Sequence, residues 1–379
     1  MSFVPPFCPY KECSRHYEGS QPARWYRRYG HHNTRTYGTV QRYRCNHCGR
    51  TFSTQSFSLD YYVKRRIDYE QLFRQLRSTA GIRDLARNLE ISRGSVQNRL
   101  MRMSRWSIAL HSLARETVHL SEDLVSDGFE SFLRSKYYPH HLNILIGKNT
   151  EYFYAMDFTT LRRKGRMSSG QRLYREFLDK VCRPDPKGIE KSMARLAEEV
   201  VRLFFRRNRQ KKHTITLYTD EHKAYPRAFW RHPVLKTLLT SGQILHHHSL
   251  STKEPARSNV MWVVNYMDRQ FRKDLVNYVR RTVNVAKNVN QLLERLSVYR
   301  VHHNFTKPYR ENSPKDGRTH GGLAGCDMEW INELLGRRFR DRPFASMLPL
   351  SAGDRGLWFR LYRTPLKWGE EYLPKYLYC

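Results

Sequence analysis

Two acidic residues stand where this chain could do chemistry. Asp127 lies in VSDGF and Asp220 in LYTDEH, each in or at the end of an apolar, β-branched run that reads as a strand. A carboxylate placed there is costly unless something binds it. Two such strands side by side would present both carboxylates to a hard divalent cation, Mg²⁺ or Mn²⁺, which takes oxygen ligands and keeps waters. Two such ions activate a water or a 3′-hydroxyl and stabilise the leaving oxygen of an in-line phosphoryl displacement. The plain alternative is that each acid is a turn residue at a strand edge.

A third ligand is expected from the helix SNVMWVVNYMDRQFRKDLVNYVRR. Val263, Val264, Met267, Phe271, Leu275 and Tyr278 form its apolar stripe, and at roughly 100° per residue Asp268 falls at the border of that stripe. Asp268 is the favoured third acid, with Asn265 on the same flank offering a carbonyl oxygen. Glu254, in the segment before the helix, competes, but a helix fixes a ligand better than a loop does. Arg272 could instead simply pair with Asp268. Lys253, Arg257, Arg269, Arg272 and Lys273 would surround the acids with the counter-charge that DNA requires. His246, His247 and His248 close the last strand, where they could orient phosphate or water or merely face solvent.

A second constellation is thiolate. Cys8 and Cys13 in CPYKEC, with Cys45 and Cys48 in RYRCNHCGRTFS, form two pairs, and zinc wants four tetrahedral ligands delivered from tight turns. Gly49 suits the second turn because it tolerates positive φ. His16 is a possible substitute ligand; a disulfide is disfavoured in a reducing compartment. Between the pairs Arg and aromatic residues alternate, a mixture suited to phosphate contact plus stacking or to an exposed hairpin. Cys182, Cys326 and Cys379 are scattered singly and read as ordinary thiols.

A third set could read base edges. Ile82, Leu85, Ala86 and Leu89 form a short amphipathic stripe, and Ser92 caps a second helix whose Val96 and Leu100 face inward. Arg93, Ser95, Gln97, Asn98 and Arg99 are then expected outward, where Gln and Asn match adenine and Arg matches guanine in the major groove. A plain helical bundle would show the same stripes.

The elements that must position these groups follow in order. DLVSDGFESF, HLNILIG and EYFYAMDF read as a β-meander, SMARLAEEVVRLFF as an amphipathic helix, TITLYTDEHKAY as a strand ending at an acid, and QILHHHSL as another strand before the long helix. Together they make a mixed sheet with helices around it. LRRKGRMSSGQR reads as a DNA-contacting loop or solvated linker, and ENSPKDGRTHGGLAG as a linker before a small C-terminal piece. The chain has 379 residues and a formal charge of +33, with 39% hydrophobic and 13% aromatic residues. That aromatic content excludes a disordered basic tail, no apolar run is long enough to span a membrane, and residues 1–6 are no signal peptide. A folded intracellular protein attracted to nucleic acid is expected. No phosphate-binding glycine loop is present, since Gly147-Lys148 lacks the upstream glycine and following helix pattern.

The cysteine knuckle, the helix-turn-helix, VSDGFE, LYTDEHKAY, NYMDRQFRKDL and the YRVHHNFTKPYR stretch, in that order, resemble transposases of bacterial insertion sequences, most closely the zinc-ribbon type with a ribonuclease H-like DDE core. The resemblance implies a multidomain chain: a zinc-ribbon β domain over 1–58, a helix-turn-helix over 59–117, an α/β ribonuclease H-like mixed-sheet catalytic domain over 118–310, and a C-terminal extension over 311–379. It implies metal-dependent phosphodiester hydrolysis and 3′-hydroxyl strand transfer on double-stranded DNA, element ends and target, with Asp127 and Asp220 as the first two acids. The family's third acid is Glu on the helix after the last strand, whereas no Glu occurs here between Glu254 and Glu294. A homodimer or higher oligomer at synapsis and a bacterial cytoplasmic, nucleoid-associated location are expected. The rival is a non-catalytic sequence-specific DNA-binding regulator or a decayed transposase.

Overall fold

The computed structural model describes residues 3–18, 25–207, 214–250, 256, 258–279, 284–310, 317–369 and 371–374. Strands β1 (Tyr26–Thr34), β2 (Gly38–Cys45) and β3 (Thr51–Ser53) form a small antiparallel sheet in that order. β1 is exposed along nearly its whole length, and Arg42 and Arg44 lie over the Tyr29 ring at 5.3 and 5.7 Å. The β1–β2 ribbon therefore projects from a base of Trp25, Tyr43, Phe52 and Phe57 packed around the cysteines.

Three helices follow. α1 (Tyr69–Leu76) is capped by Asp68, whose carboxylate accepts from Glu70 N and Gln71 N; α2 (Ile82–Asn88) buries Leu85 and Ala86. α3 (Arg93–Thr117) starts at Ser92, which accepts from Ser95 N, and buries Val96 and Leu100 as the stripe predicts. It does not end after a short reading segment. It runs 25 residues through the middle of the molecule, buried almost continuously from Arg99 to Arg115. Arg105 there donates to Glu294 at 2.8 Å and to the Trp358 carbonyl, while Arg115 forks onto Glu199 at 3.1 and 2.7 Å.

The larger sheet has β4 (Leu124–Leu133), β5 (Ser135–Gly147) and β6 (Phe153–Thr160) as an antiparallel meander. α4 (Ser169–Val181) and α5 (Gly188–Phe205) lead to β7 (Ile215–Thr219), then α6 (Ala224–Arg231), α7 (Pro233–Thr240) and β8 (Ile244–His248). Strand order is β6-β5-β4-β7-β8, with β7 parallel to both β4 and β8. One face, bearing Leu124, Leu145 and Leu217, packs α5 and α6. The other, bearing Val125, Phe129 and Ile144, is covered by α8 (Trp262–Asp274) and α9 (Val289–Val301). All six residues of the expected stripe are buried, but the helix ends at Asp274, so Leu275 and Tyr278 reach the core from the extended residue and the 3₁₀ turn that follow it.

The two expected loops differ from the sequence reading. Ser168 caps α4, so LRRKGRMSSGQR is irregular only up to that residue. Within the expected linker, 311–316 lies outside the described residues, but α10 (His320–Leu323) tucks against Phe305 and buries His320 and Gly321. Nor is the C-terminal segment an appendage. After α11 (Met328–Gly336), Phe339 packs on Trp106, and Phe344 packs on Phe7 and Phe57 of the cysteine base. α12 (Ala352–Trp358) buries Trp358 completely and pairs Asp354 with Arg300 at 2.7 Å. The segments expected as separate helical and catalytic domains share one apolar core, which runs unbroken from Leu59 through α1–α3 to the sheet and α5–α7. Among the described residues no helix is long and apolar enough to cross a membrane.

Glu294 receives Arg105 and lies 3.3 Å from Arg360 while fully buried. Replacing one partner of such a pair strands the other's charge, so Glu294→Ala should cost about 3–5 kcal/mol. Urea denaturation of the wild-type and variant chains measures it.

Candidate functional site

The sheet brings Asp127 and Asp220 together. β4 pairs with β7 through Leu124↔Leu217 and Val125↔Tyr218, and continuing that register by two residues sets Asp127 level with Asp220. Adjacent strands lie about 4.8 Å apart, so the two acids occupy neighbouring positions at the carboxyl end of β7. Both share strand parity with Val125 and Tyr218, which face α8.

Burial, then the charge of Asp220, pushes the Asp127 carboxyl up from 3.8 to about 6. Gly128 N donates to it at 2.6 Å and the Tyr225 hydroxyl lies 3.5 Å away. Asp220 accepts from His222 N at 2.8 Å. Among the described residues no lysine or arginine pairs with either acid. Most other buried acids are held by a cation; Glu122 is the exception, met instead by the Asn149 and Thr150 amides, the Thr150 hydroxyl and the Tyr154 hydroxyl. Asp157 holds Arg195, Glu199 holds Arg115 and Arg202, Glu294 holds Arg105, and Asp354 holds Arg300.

Around the pair sits a polar cluster that the sequence reading missed. Glu130 and His141 face each other across β4–β5, with His141 Nδ1 3.5 Å from the carboxylate. The Asn143 amide donates to Ser192, so its oxygen faces His141 Nε2 at 3.0 Å and receives that proton. Tyr225 Oη stands 3.5 Å from the same nitrogen. A side chain at position 128 would overlap the His141 ring, so glycine here is a close-approach requirement. The available signal was the period-two polar pair His141 and Asn143 inside an apolar strand.

Asp268 and Asn265 are half-buried on α8, the helix covering the acids' face. Among the described residues, however, Asp127, Asp220 and Asp268 do not form a group whose ligand atoms close within 4.8 Å of one another. Arg272 lies over the Phe129 ring at 5.1 Å, while Arg269 and Lys273 are exposed. Lys253, Glu254 and Arg257 lie outside the described residues. His246 Nε2 is 2.9 Å from Thr219 Oγ1 and burial lowers its pKa to about 4; His248 meets the Asp220 carbonyl at 3.3 Å.

The expected reading face of α3 is not assembled as a set. Arg93 is exposed, and Ser95 shares a hydroxyl contact with the cap Ser92. Gln97 donates to Gln291 of α9, and Asn98 accepts from Arg99 and Arg102. Arg99 corrects the expectation: it is buried and donates to the Arg65 carbonyl at 2.7 Å.

The four cysteines converge. Cys8 and Cys48 sulfurs are 3.8 Å apart, Cys13 and Cys45 3.9 Å, and all four lie within 4.8 Å of each other with no disulfide. Tetrahedral thiolates at about 2.3 Å from zinc stand about 3.8 Å from one another, so the set could hold a metal such as zinc. Gly49 takes φ +71° at the second turn, as expected. His16 is not a ligand: its Nδ1 meets the Cys8 carbonyl and its Nε2 meets Ser346, both at 2.6 Å.

No family model matches this chain, and no curated protein matches it.

Two outcomes follow from the site. Purified chain should carry about one zinc, measured by elemental analysis; Cys45→Ser should lose it and change Trp25 fluorescence. The folded pKa of Asp127 lies above 3.8, so the folded chain holds that proton more tightly than the unfolded one. Its contribution is fully present below about 3.8 and is lost as pH rises to about 6. Asp127→Asn should therefore be more stable than wild type at pH 7 without divalent cations, and the gap should shrink on acidification; urea midpoints across pH decide it.

Proposed function

We propose that this chain is a DNA-processing enzyme of the insertion-sequence transposase type, cutting phosphodiester bonds at element ends and directing the freed 3′-hydroxyl at target DNA. One observation carries the reading: two adjacent acids, Asp127 on β4 and Asp220 just past β7, have no lysine or arginine partner among the described residues, in a chain of 68 Lys+Arg and 35 Asp+Glu, and burial raises the pKa of Asp127. A carboxylate pair that no described cation holds amid such excess suits a ligand from outside the chain, and perturbed paired acids mark functional sites. The strand order, with Asp127 on central β4 and Asp220 at the end of its parallel neighbour, also fits the ribonuclease H-like arrangement.

Asp127 and Asp220 would hold the divalent metal, with Asp268 or Asn265 on α8 as the remaining candidates. When bound, that metal supplies an activated water and stabilisation of the leaving oxygen. The chain's own groups orient the acids. Gly128 lets His141 lie directly against β4, and Tyr225 approaches both Asp127 and His141. The exposed β1–β2 ribbon, with Arg27, Arg28 and the Arg-stacked Tyr29, supports phosphate contact beside the cysteine module. Double-stranded DNA and a dimeric synapse belong to this reading. The second reading is a non-catalytic DNA-binding regulator or decayed transposase; among the described residues, which leave out Glu254, no three acids close on one another.

The test uses duplexes taken from the DNA flanking the coding sequence, incubated with full-length protein and Mg²⁺ or Mn²⁺. Wild type should leave nicks ending in 3′-hydroxyls. Asp127→Asn and Asp220→Asn should each slow nicking about a hundredfold or more, the scale for removing one preorganised electrostatic group, while keeping duplex binding. Nicking unchanged in both variants, or absent from wild type, overturns the enzymatic reading.

A further inference from the structure

A cavity of about 740 Å³ opens at the carboxyl end of the sheet, beside the paired acids. His222, whose backbone N–H donates to Asp220, is in its wall. Lys136, Arg163, Lys164, Arg183, Lys223 and Arg227 also line it, and among the described residues none of these six has an acidic partner. Glu130, Asp185 and Glu190 share the wall, but Lys191 holds Asp185 and Arg231 holds Glu190, so the lining keeps a positive excess that fits a ligand bearing several negative charges.

The second observation is aromatic. Arg163 stacks over the Tyr137 ring at 5.0 Å, and Tyr137 meets Tyr174 of α4 at 5.1 Å, edge to face. Tyr174 stacks in turn with Phe177 at 6.2 Å. Tyr174 is 50% and Phe177 58% exposed, and Leu173 beside them is exposed too. The rings thus make a path leading outward from the cationic wall. α4 buries only Leu178, so these rings contribute little to the core.

Cations along a groove, interleaved with open ring faces, match unpaired nucleic acid: the backbone meets the cations and the splayed bases meet the rings. A duplex hides its base faces in its own stack and leaves the rings unmatched. A second copy of this chain would bring another large positive charge against the same wall. We propose that the cavity and the α4 rings together bind a single-stranded segment and lead it past Asp127 and Asp220. This rests on the reading of that pair as a strand-cutting site, and it names the form of nucleic acid the site receives.

The test measures binding rather than cleavage. Full-length, zinc-loaded protein is titrated into fluorescein-labelled oligothymidylate of about 15 nucleotides, a length suited to one such groove, and anisotropy is read without divalent cations. The double variant Tyr174→Ala/Phe177→Ala should weaken binding on the order of thirtyfold, about fivefold for each lost stack. Tyr174→Trp/Phe177→Trp should restore it. Lys164→Ala/Lys223→Ala should lower the salt dependence by about 1.4 in slope. Duplex affinity should stay unchanged in the ring variants. Unaltered oligothymidylate affinity in the alanine pair overturns the inference, as does failure of tryptophan to rescue. A change in sedimentation with unaltered affinity also overturns it and assigns the rings to self-association. Strand cutting with ring-independent binding would defeat this inference alone, whereas ring-dependent binding without cutting would defeat the enzymatic reading alone.

Discussion

Several arginines of this protein lie inside it, and a guanidinium out of water is tolerable only where carboxylates or carbonyls meet its fork. That requirement organises the middle of the molecule. Arg105 of α3 reaches Glu294 of α9 and the Trp358 carbonyl, Arg300 of α9 holds Asp354 of α12, and Arg115 joins α3 to Glu199 of α5. Arg295 places Nε and Nη2 on the Leu76 carbonyl at 2.9 and 2.6 Å. Each contact joins elements far apart in sequence. Apolar packing alone would let α3 and α9 slide along each other; directional forks at several heights fix their register and, through α5 and α9, the faces of the sheet.

Against that background the Asp127–Asp220 pair is informative because it breaks the pattern. Arginine is abundant, and Arg227 lies only a helical turn or two beyond Asp220 in sequence, yet among the described residues no lysine or arginine pairs with either acid. Burial first, and then the neighbouring carboxylate of Asp220, raise the proton affinity of Asp127. A site that opposes its own stability in this way is what a ligand-binding centre requires. The ring of His141, admitted by Gly128 and tied to Asn143 and Glu130, stiffens the strand beneath the pair.

What was legible in the sequence was whatever its local chemistry dictates. The meander, β7 and β8, the apolar stripe of α8, the Ser92 cap and Gly49 all follow from period, capping or φ preference. What was not legible depended on partners distant in the chain. Arg99 looks like a surface residue by type, but its position beside Val96 and Leu100 turns it inward, where the Arg65 carbonyl receives it. The length of α3 escaped because a helix buried on every side has no polar face, so periodicity falls silent where burial is greatest. His16 resembles a metal ligand by spacing; only the folded chain reveals that Ser346, 330 residues on, takes its free nitrogen. Only the first turn of α4 falls within LRRKGRMSSGQR, whose run of Arg, Lys, Gly and Ser suits a linker; the Ser168 cap starts the helix inside that run.

The same long-range contacts bear on how the parts act together. His16 sits between the Cys8 carbonyl and Ser346, and Phe344 packs against Phe7 and Phe57. From there the chain reaches Trp358, whose carbonyl holds Arg105 of α3, and then Tyr362, whose hydroxyl donates to Asp157 on β6 at 2.5 Å. A metal in the cysteine cluster would therefore brace more than a small ribbon. It would fix one end of a strap that runs through the central helix to the far edge of the larger sheet. Order at the cysteine cluster and order around the acids are linked by covalent chain and packed side chains, so the two sites need not be independent modules joined by a flexible tether.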